Sequence, residues 1–87
     1  MPNAIIVDER DNVATALADL ENCSEAEGIT LLQAVPFGHK FALKDIGVGE
    51  PVIKYGEVIG MTTAAIAVGE HVHVHNVDGL RGRGDRK

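Results

Sequence analysis

A seven-residue pattern occurs twice in this chain, its second copy offset by 20 residues from its first. Ile46-Gly47-Val48-Gly49-Glu50-Pro51-Val52 returns as Ile66-Ala67-Val68-Gly69-Glu70-His71-Val72, so both copies read Ile-x-Val-Gly-Glu-x-Val. In each copy an apolar residue docks, the glycine permits a turn backbone, the glutamate faces water and the valine starts the next strand. Two such turns feeding two strands predict a compact, pseudo-symmetric β structure, because two copies are too few for a solenoid. From His39 onward, residues 39–43, 51–55, 58–62 and 72–77 read as short strands, with Tyr55-Gly56-Glu57 closing a hairpin. Dense short strands of this kind close into a small barrel or fold over on themselves.

The first third of the chain reads differently. Residues 4–7 form a short apolar run that enters the polar turn Asp8-Glu9-Arg10-Asp11-Asn12. Asp11 or Asn12 then caps one short helix near residues 12–20, where Val13, Ala14, Leu17, Ala18 and Leu20 fall at near-helical spacing. That helix fades in the acidic stretch 21–27 and closes at Gly28, and residues 29–35 make a strand stopped by Pro36 and Gly38. The expected class is mainly β with one short helix. Residues 1–77 form the domain, and residues 78–87 read as a flexible basic tail or linker, or as a docking strand for a second subunit.

At 87 residues the chain holds one small domain, and a core of this size often leans on a partner, a second copy included. Phe37, Phe41 and Tyr55 are its only aromatic residues, so the core is built from aliphatic side chains and base-stacking platforms are missing. Residues 1–77 carry four basic against eleven acidic side chains, a net of −7, and residues 78–87 carry four against two, a net of +2. An acidic body repels phosphate backbones, which argues against nucleic acid as a partner. The single cysteine, Cys23, has no adjacent base to activate it and reads as an incidental thiol of a reducing compartment. The sequence shows no signal peptide and no stretch near the roughly 20 apolar residues of a membrane span. The expectation is a cytoplasmic protein with no membrane partner.

Chemistry is concentrated in Gly69-Glu70-His71-Val72-His73-Val74-His75-Asn76. On a strand, alternation places His71, His73 and His75 on one face and Val72 and Val74 on the other, where the valines anchor the strand. Imidazole titrates near neutral pH and is the commonest metal ligand. Neighbours at i and i+2 attach about 6.8 Å apart, so His71 and His73 can lean toward one ion. His71 and His75 lie roughly 13 Å apart on a straight strand, and all three would reach one ion only across a bulge. The same three are candidates for acid–base work as catalytic residues. His39, Lys40, Lys54, Tyr55 and Asn76 are the candidates for holding an anionic substrate, through cationic and hydrogen-bonding groups. The plain alternative is a solvent-facing strand that merely happens to be rich in histidine. No glycine here precedes a helix at phosphate-loop spacing, so Gly56, Gly60 and Gly69 read as turn residues.

Three blocks follow in one order: Gly38-His39-Lys40-Phe41-Ala42-Leu43-Lys44-Asp45-Ile46, then Val52-Ile53-Lys54-Tyr55-Gly56-Glu57-Val58-Ile59-Gly60, then Gly69 to Asn76. Together they closely resemble the amino-terminal SAF domain of the altronate and galactarate dehydratases, and the small subunit of sulfolactate sulfo-lyase in the same family. Asp11-Asn12-Val13-Ala14-Thr15-Ala16-Leu17 is similar too, so the resemblance covers most of residues 8–77. It implies a β-clip fold, a small barrel with a long bent hairpin. It also implies a lyase acting on a hydroxylated sugar acid with a divalent metal, typically iron. The family's large catalytic region has no counterpart in these 87 residues. The resemblance therefore implies a small subunit that supplies its histidine strand to the active site of a large catalytic subunit. A non-enzymatic SAF module that binds a carbohydrate or a protein is the alternative of a different class. The stretch 21–28 is longer and more acidic than the turn the family pattern suggests.

Overall fold

The computed structural model describes residues 3–79. Within them lie nine short strands and no helix: β1 (Ala4–Ile5), β2 (Val13–Ala16), β3 (Glu25–Ala26), β4 (Ile29–Thr30), β5 (Lys40–Ala42), β6 (Pro51–Lys54), β7 (Glu57–Thr62), β8 (His71–Val72) and β9 (Val77–Gly79). All pairings between them are antiparallel and make three sheets, ordered β1-β2-β5-β8, β3-β4 and β6-β7-β9. The mainly β class stands as expected.

The helix near residues 12–20 does not form; β2 takes its place. The two residues expected to cap it are engaged elsewhere. Asn12 donates its side-chain amide to Pro51 O (2.9 Å) and accepts the Ile53 N–H (2.7 Å), which ties β2 to β6. Asp11 accepts N–H bonds from Val7 (3.3 Å), Asp8 (3.1 Å) and Gly56 (2.8 Å), which fixes the β6–β7 hairpin tip onto the first turn. The apolar run itself fits period two as well as period 3.6. Val13 and Ala14 face opposite sides of the sheet, and both sides are covered. A strand buried on both faces needs no polar alternation, and that absence of alternation mimicked a helix.

The sheet β1-β2-β5-β8 divides the core. Ala4, Ala14, Ala16 and Phe41 point to one side and pack with Leu20, Ala26, Leu31 and Val35. Val13, Ala42 and Val72 point to the other and pack with Ile46, Val52 and Ile66. The acidic stretch 21–28 holds β3 and a two-residue turn at Glu27 and Gly28, both at positive φ, where a fading helix was expected.

The repeated pattern builds two matching turns. Ile46 and Ile66 form a reciprocal antiparallel bridge, each N–H donating to the other's carbonyl at 2.8 Å. Each glutamate turns back on its own loop: Glu50 Oε1 accepts from Gly47 N–H (2.8 Å) and Glu70 Oε1 from Ala67 N–H (2.9 Å). β6 and β7 form the long hairpin, bent by a register shift between Val52 and Ile53. The expected strand over 72–77 is instead β8, a turn and β9. Asp78 and Gly79, assigned from sequence to the tail, complete β9 against β7. The rest of that expected tail, residues 80–87, lies outside the described residues.

Candidate functional site

The register of β5 with β8 assembles the site. Lys40 pairs with Val72 and Phe41 with His71, so His39, just before β5, falls opposite His73, just after β8. The chain does not continue as a strand beyond Val72. Asn76 folds it into a turn: its Oδ1 accepts the His73 N–H (3.0 Å), its own N–H donates to His73 O (3.1 Å), and its amide donates to His71 O (3.0 Å). That turn is the departure from a straight strand which a multi-histidine site requires.

The rings consequently stack. The His39 and His73 centroids lie 3.9 Å apart at 14°, and those of His39 and His71 lie 5.0 Å apart at 21°. His71 also faces His73 at 5.8 Å and His75 at 5.1 Å. His39 Nδ1 and His71 Nε2 are 2.8 Å apart, a hydrogen bond in which one ring carries the proton and the other accepts it. One donor atom from each of His39, His71 and His73 lies within 4.8 Å of the others. This is slightly wider than the about 4 Å that nitrogens on one ion need, so holding an ion would require the stacked rings to turn toward it. Three imidazoles are a donor set suited to a divalent ion of intermediate softness, so the residues fit the metal that the resemblance implies. His39 thus joins the expected pair of His71 and His73, while His75 is exposed and touches the trio through His71.

Electrostatics favour the neutral rings. Burial, then the neighbouring His75, His39, His73 and Lys40, push the His71 pKa below its ordinary 6.5. Burial, His39, Lys40 and His75 do the same at His73. The lowered values favour the uncharged form of both rings, the form a base or a ligand needs. Burial, followed by the positive charge of Lys54, lowers the Lys40 pKa from 10.5. Lys40 lines a cavity of about 200 Å³ with His73, walled by Val52, Ile59, Val72 and Val77.

The remaining expected contacts are placed unequally. Lys54 and Tyr55 sit at the β6–β7 tip, with the Lys54 ammonium 4.6 Å from the Tyr55 ring centroid. Asn76 is only 3% exposed and its amide is spent on backbone, so it shapes the site from within. Val74 is not a buried anchor: it is 81% exposed and only lines the cavity beside His73, whereas Val72 is fully buried. Sequence reasoning also passed over Gln33, whose Oε1 accepts the His71 N–H at 2.9 Å. Nothing local marks it, since 38 residues separate the two.

Residues 2–80 match the family model described as altronate/galactarate dehydratase SAF domain. The chain is 56% identical over 70 residues to altronate dehydratase of Escherichia coli (strain K12), covering 76% of this chain and 14% of that protein. It is 54% identical over 44 residues to (2R)-sulfolactate sulfo-lyase subunit alpha of Chromohalobacter salexigens, covering 51% and 47%. Against galactarate dehydratase (L-threo-forming) of Escherichia coli (strain K12) it is 40% identical over 73 residues, covering 78% and 14%. The chain thus spans a small part of the dehydratases and about half of the sulfo-lyase subunit. Among the described residues no helix is long and apolar enough to cross a membrane. With nearly its whole length inside the family match, the chain belongs to the SAF domains of the altronate/galactarate dehydratase family.

Proposed function

We propose that this chain is the small subunit of a sugar-acid dehydratase, a hydro-lyase, and that it lends its imidazoles to an active site completed by a separate large catalytic subunit. The observation that carries this reading is the convergence of His39, His71 and His73 within 4.8 Å, beside the partly buried Lys40. Two relatives that bear the name subunit alpha support the division into subunits.

In this reading the ammonium of Lys40 holds the substrate carboxylate, with Lys54 and the Tyr55 hydroxyl as further donors, joined by His39 when it holds no ion. A neutral imidazole takes the proton from the carbon next to the carboxylate. The C–H electron pair becomes the new carbon–carbon double bond, the β C–O bond breaks, and the hydroxide leaves as water with the proton returned by the imidazolium just formed. His39, His71 and His73 would hold a divalent ion such as iron, which when bound supplies Lewis-acid stabilisation of the carboxylate as negative charge builds on it. With those three nitrogens so engaged, His75 is the imidazole free to take the proton; with them free, His71 and His73 serve.

Reconstitution with a large dehydratase chain tests the proposal, with altronate, galactarate and sulfolactate each offered as substrate. Sulfolactate turnover would make sulfite, not water, the leaving group. His71→Ala and His73→Ala are each expected to lower kcat by about 100-fold or more. Full activity in both variants overturns the reading. Tight binding of a sugar acid by the isolated chain, with no large partner recovered, would move the assignment to a stand-alone binding module.

A further inference from the structure

We infer that Gln33 is a positioning residue for the histidine cluster, clamping the His71 backbone so that the rings of His39, His71 and His73 converge. The inference rests on the reading of that cluster as a ligand site.

Among the described residues β8 is the last strand of its sheet, with β5 on one side only. The polar backbone groups of His71 are met by side-chain amides: Gln33 Oε1 accepts the N–H at 2.9 Å, and Asn76 Nδ2 donates to the carbonyl at 3.0 Å. Without these partners the strand edge would take water and fray. Gln33 arrives there because the segment after β4 crosses the start of β8 at close quarters. Leu32 N–H donates to Gly69 O at 2.9 Å, and a Cβ on Gly69 would collide with the Thr30 carbonyl. Gly69 also has φ +86, so glycine is needed there on both counts.

His71 is the hub of the ring contacts. Three of the four stacked or tilted pairs include it, as does the 2.8 Å contact between ring nitrogens. A residue that fixes His71 therefore fixes the cluster. Asn76 does so from a buried position, where any substitution strains the fold. Gln33 does so from an exposed one, so its loss acts on the cluster with little effect on the core. Its role is separable by experiment for that reason.

Two variants of the full chain decide the matter. Gln33→Ala removes the acceptor, and Gln33→Glu keeps an acceptor oxygen at the same reach. In the metal-free protein, ring-to-ring NOE cross peaks of His39 with His71 and His73 should persist in wild type and Gln33→Glu and weaken in Gln33→Ala, with similar Tm in all three. Titration with Co²⁺, followed by its visible absorption, should show about 10-fold weaker binding in Gln33→Ala and near wild-type binding in Gln33→Glu. Cross peaks unchanged in Gln33→Ala overturn the inference, whatever the metal does. Wild type that takes no Co²⁺ while its cross peaks depend on Gln33 removes the metal reading and leaves the positioning role standing.

Discussion

Asn76 shows how a single side chain converts a histidine-rich strand into a cluster. Its amide holds both His71 and His73 while it is itself buried, so Asn76→Ala forfeits two side-chain hydrogen bonds and leaves backbone groups unpaired. The expected loss is about 2–4 kcal/mol of unfolding free energy, read from urea denaturation. The depressed His71 and His73 pKa values have their own signature. The folded state binds fewer protons than the unfolded one between the lowered values and the ordinary 6.5. Stability from these rings is complete above pH 6.5 and declines as pH falls below it, through the folded values. Urea midpoints between pH 5 and 8 check this, and replacing both histidines should flatten the slope. Alternation in the sequence was enough to mark His71, His73 and His75. It was silent on which of them would meet His39, because that depends on register with a strand some 30 residues earlier.

Among the elements, the β6–β7 hairpin was legible and β2 was not, since its sequence reads as a helix. Tyr55-Gly56 sits between two β-prone runs with glycine at the turn, a local signal that needs no tertiary context. The run from Val13 to Leu20 gave a helical period only because both faces of β2 are covered, a fact that belongs to the whole fold. The hairpin carries a cost that the sequence hides: Tyr55 has φ 58, a left-handed backbone that a bulky side chain resists. Tyr55→Asn should raise stability by about 0.5–1 kcal/mol in thermal unfolding. If the Tyr55 hydroxyl also donates to the substrate, the same variant should raise KM in the reconstituted enzyme. Stability gained with KM unchanged would confine Tyr55 to the turn.

For the molecule as a whole, the division of the core by one sheet governs what substitution can do. Phe41 is fully buried and is the largest side chain on its side of the sheet, so Phe41→Ala should cost about 3–5 kcal/mol. A domain of this size commonly has only 5–15 kcal/mol in all, and calorimetry should show a large fall in Tm. The histidines stand apart from this, at the rim where β5 begins and β8 ends, outside both core clusters. Their removal should therefore disarm the protein without unfolding it. A chain with His71→Ala and His73→Ala would still dock wherever the intact one docks. If the proposed large subunit is its partner, such a chain produced in excess would occupy that subunit unproductively and act as a dominant inhibitor of the complex.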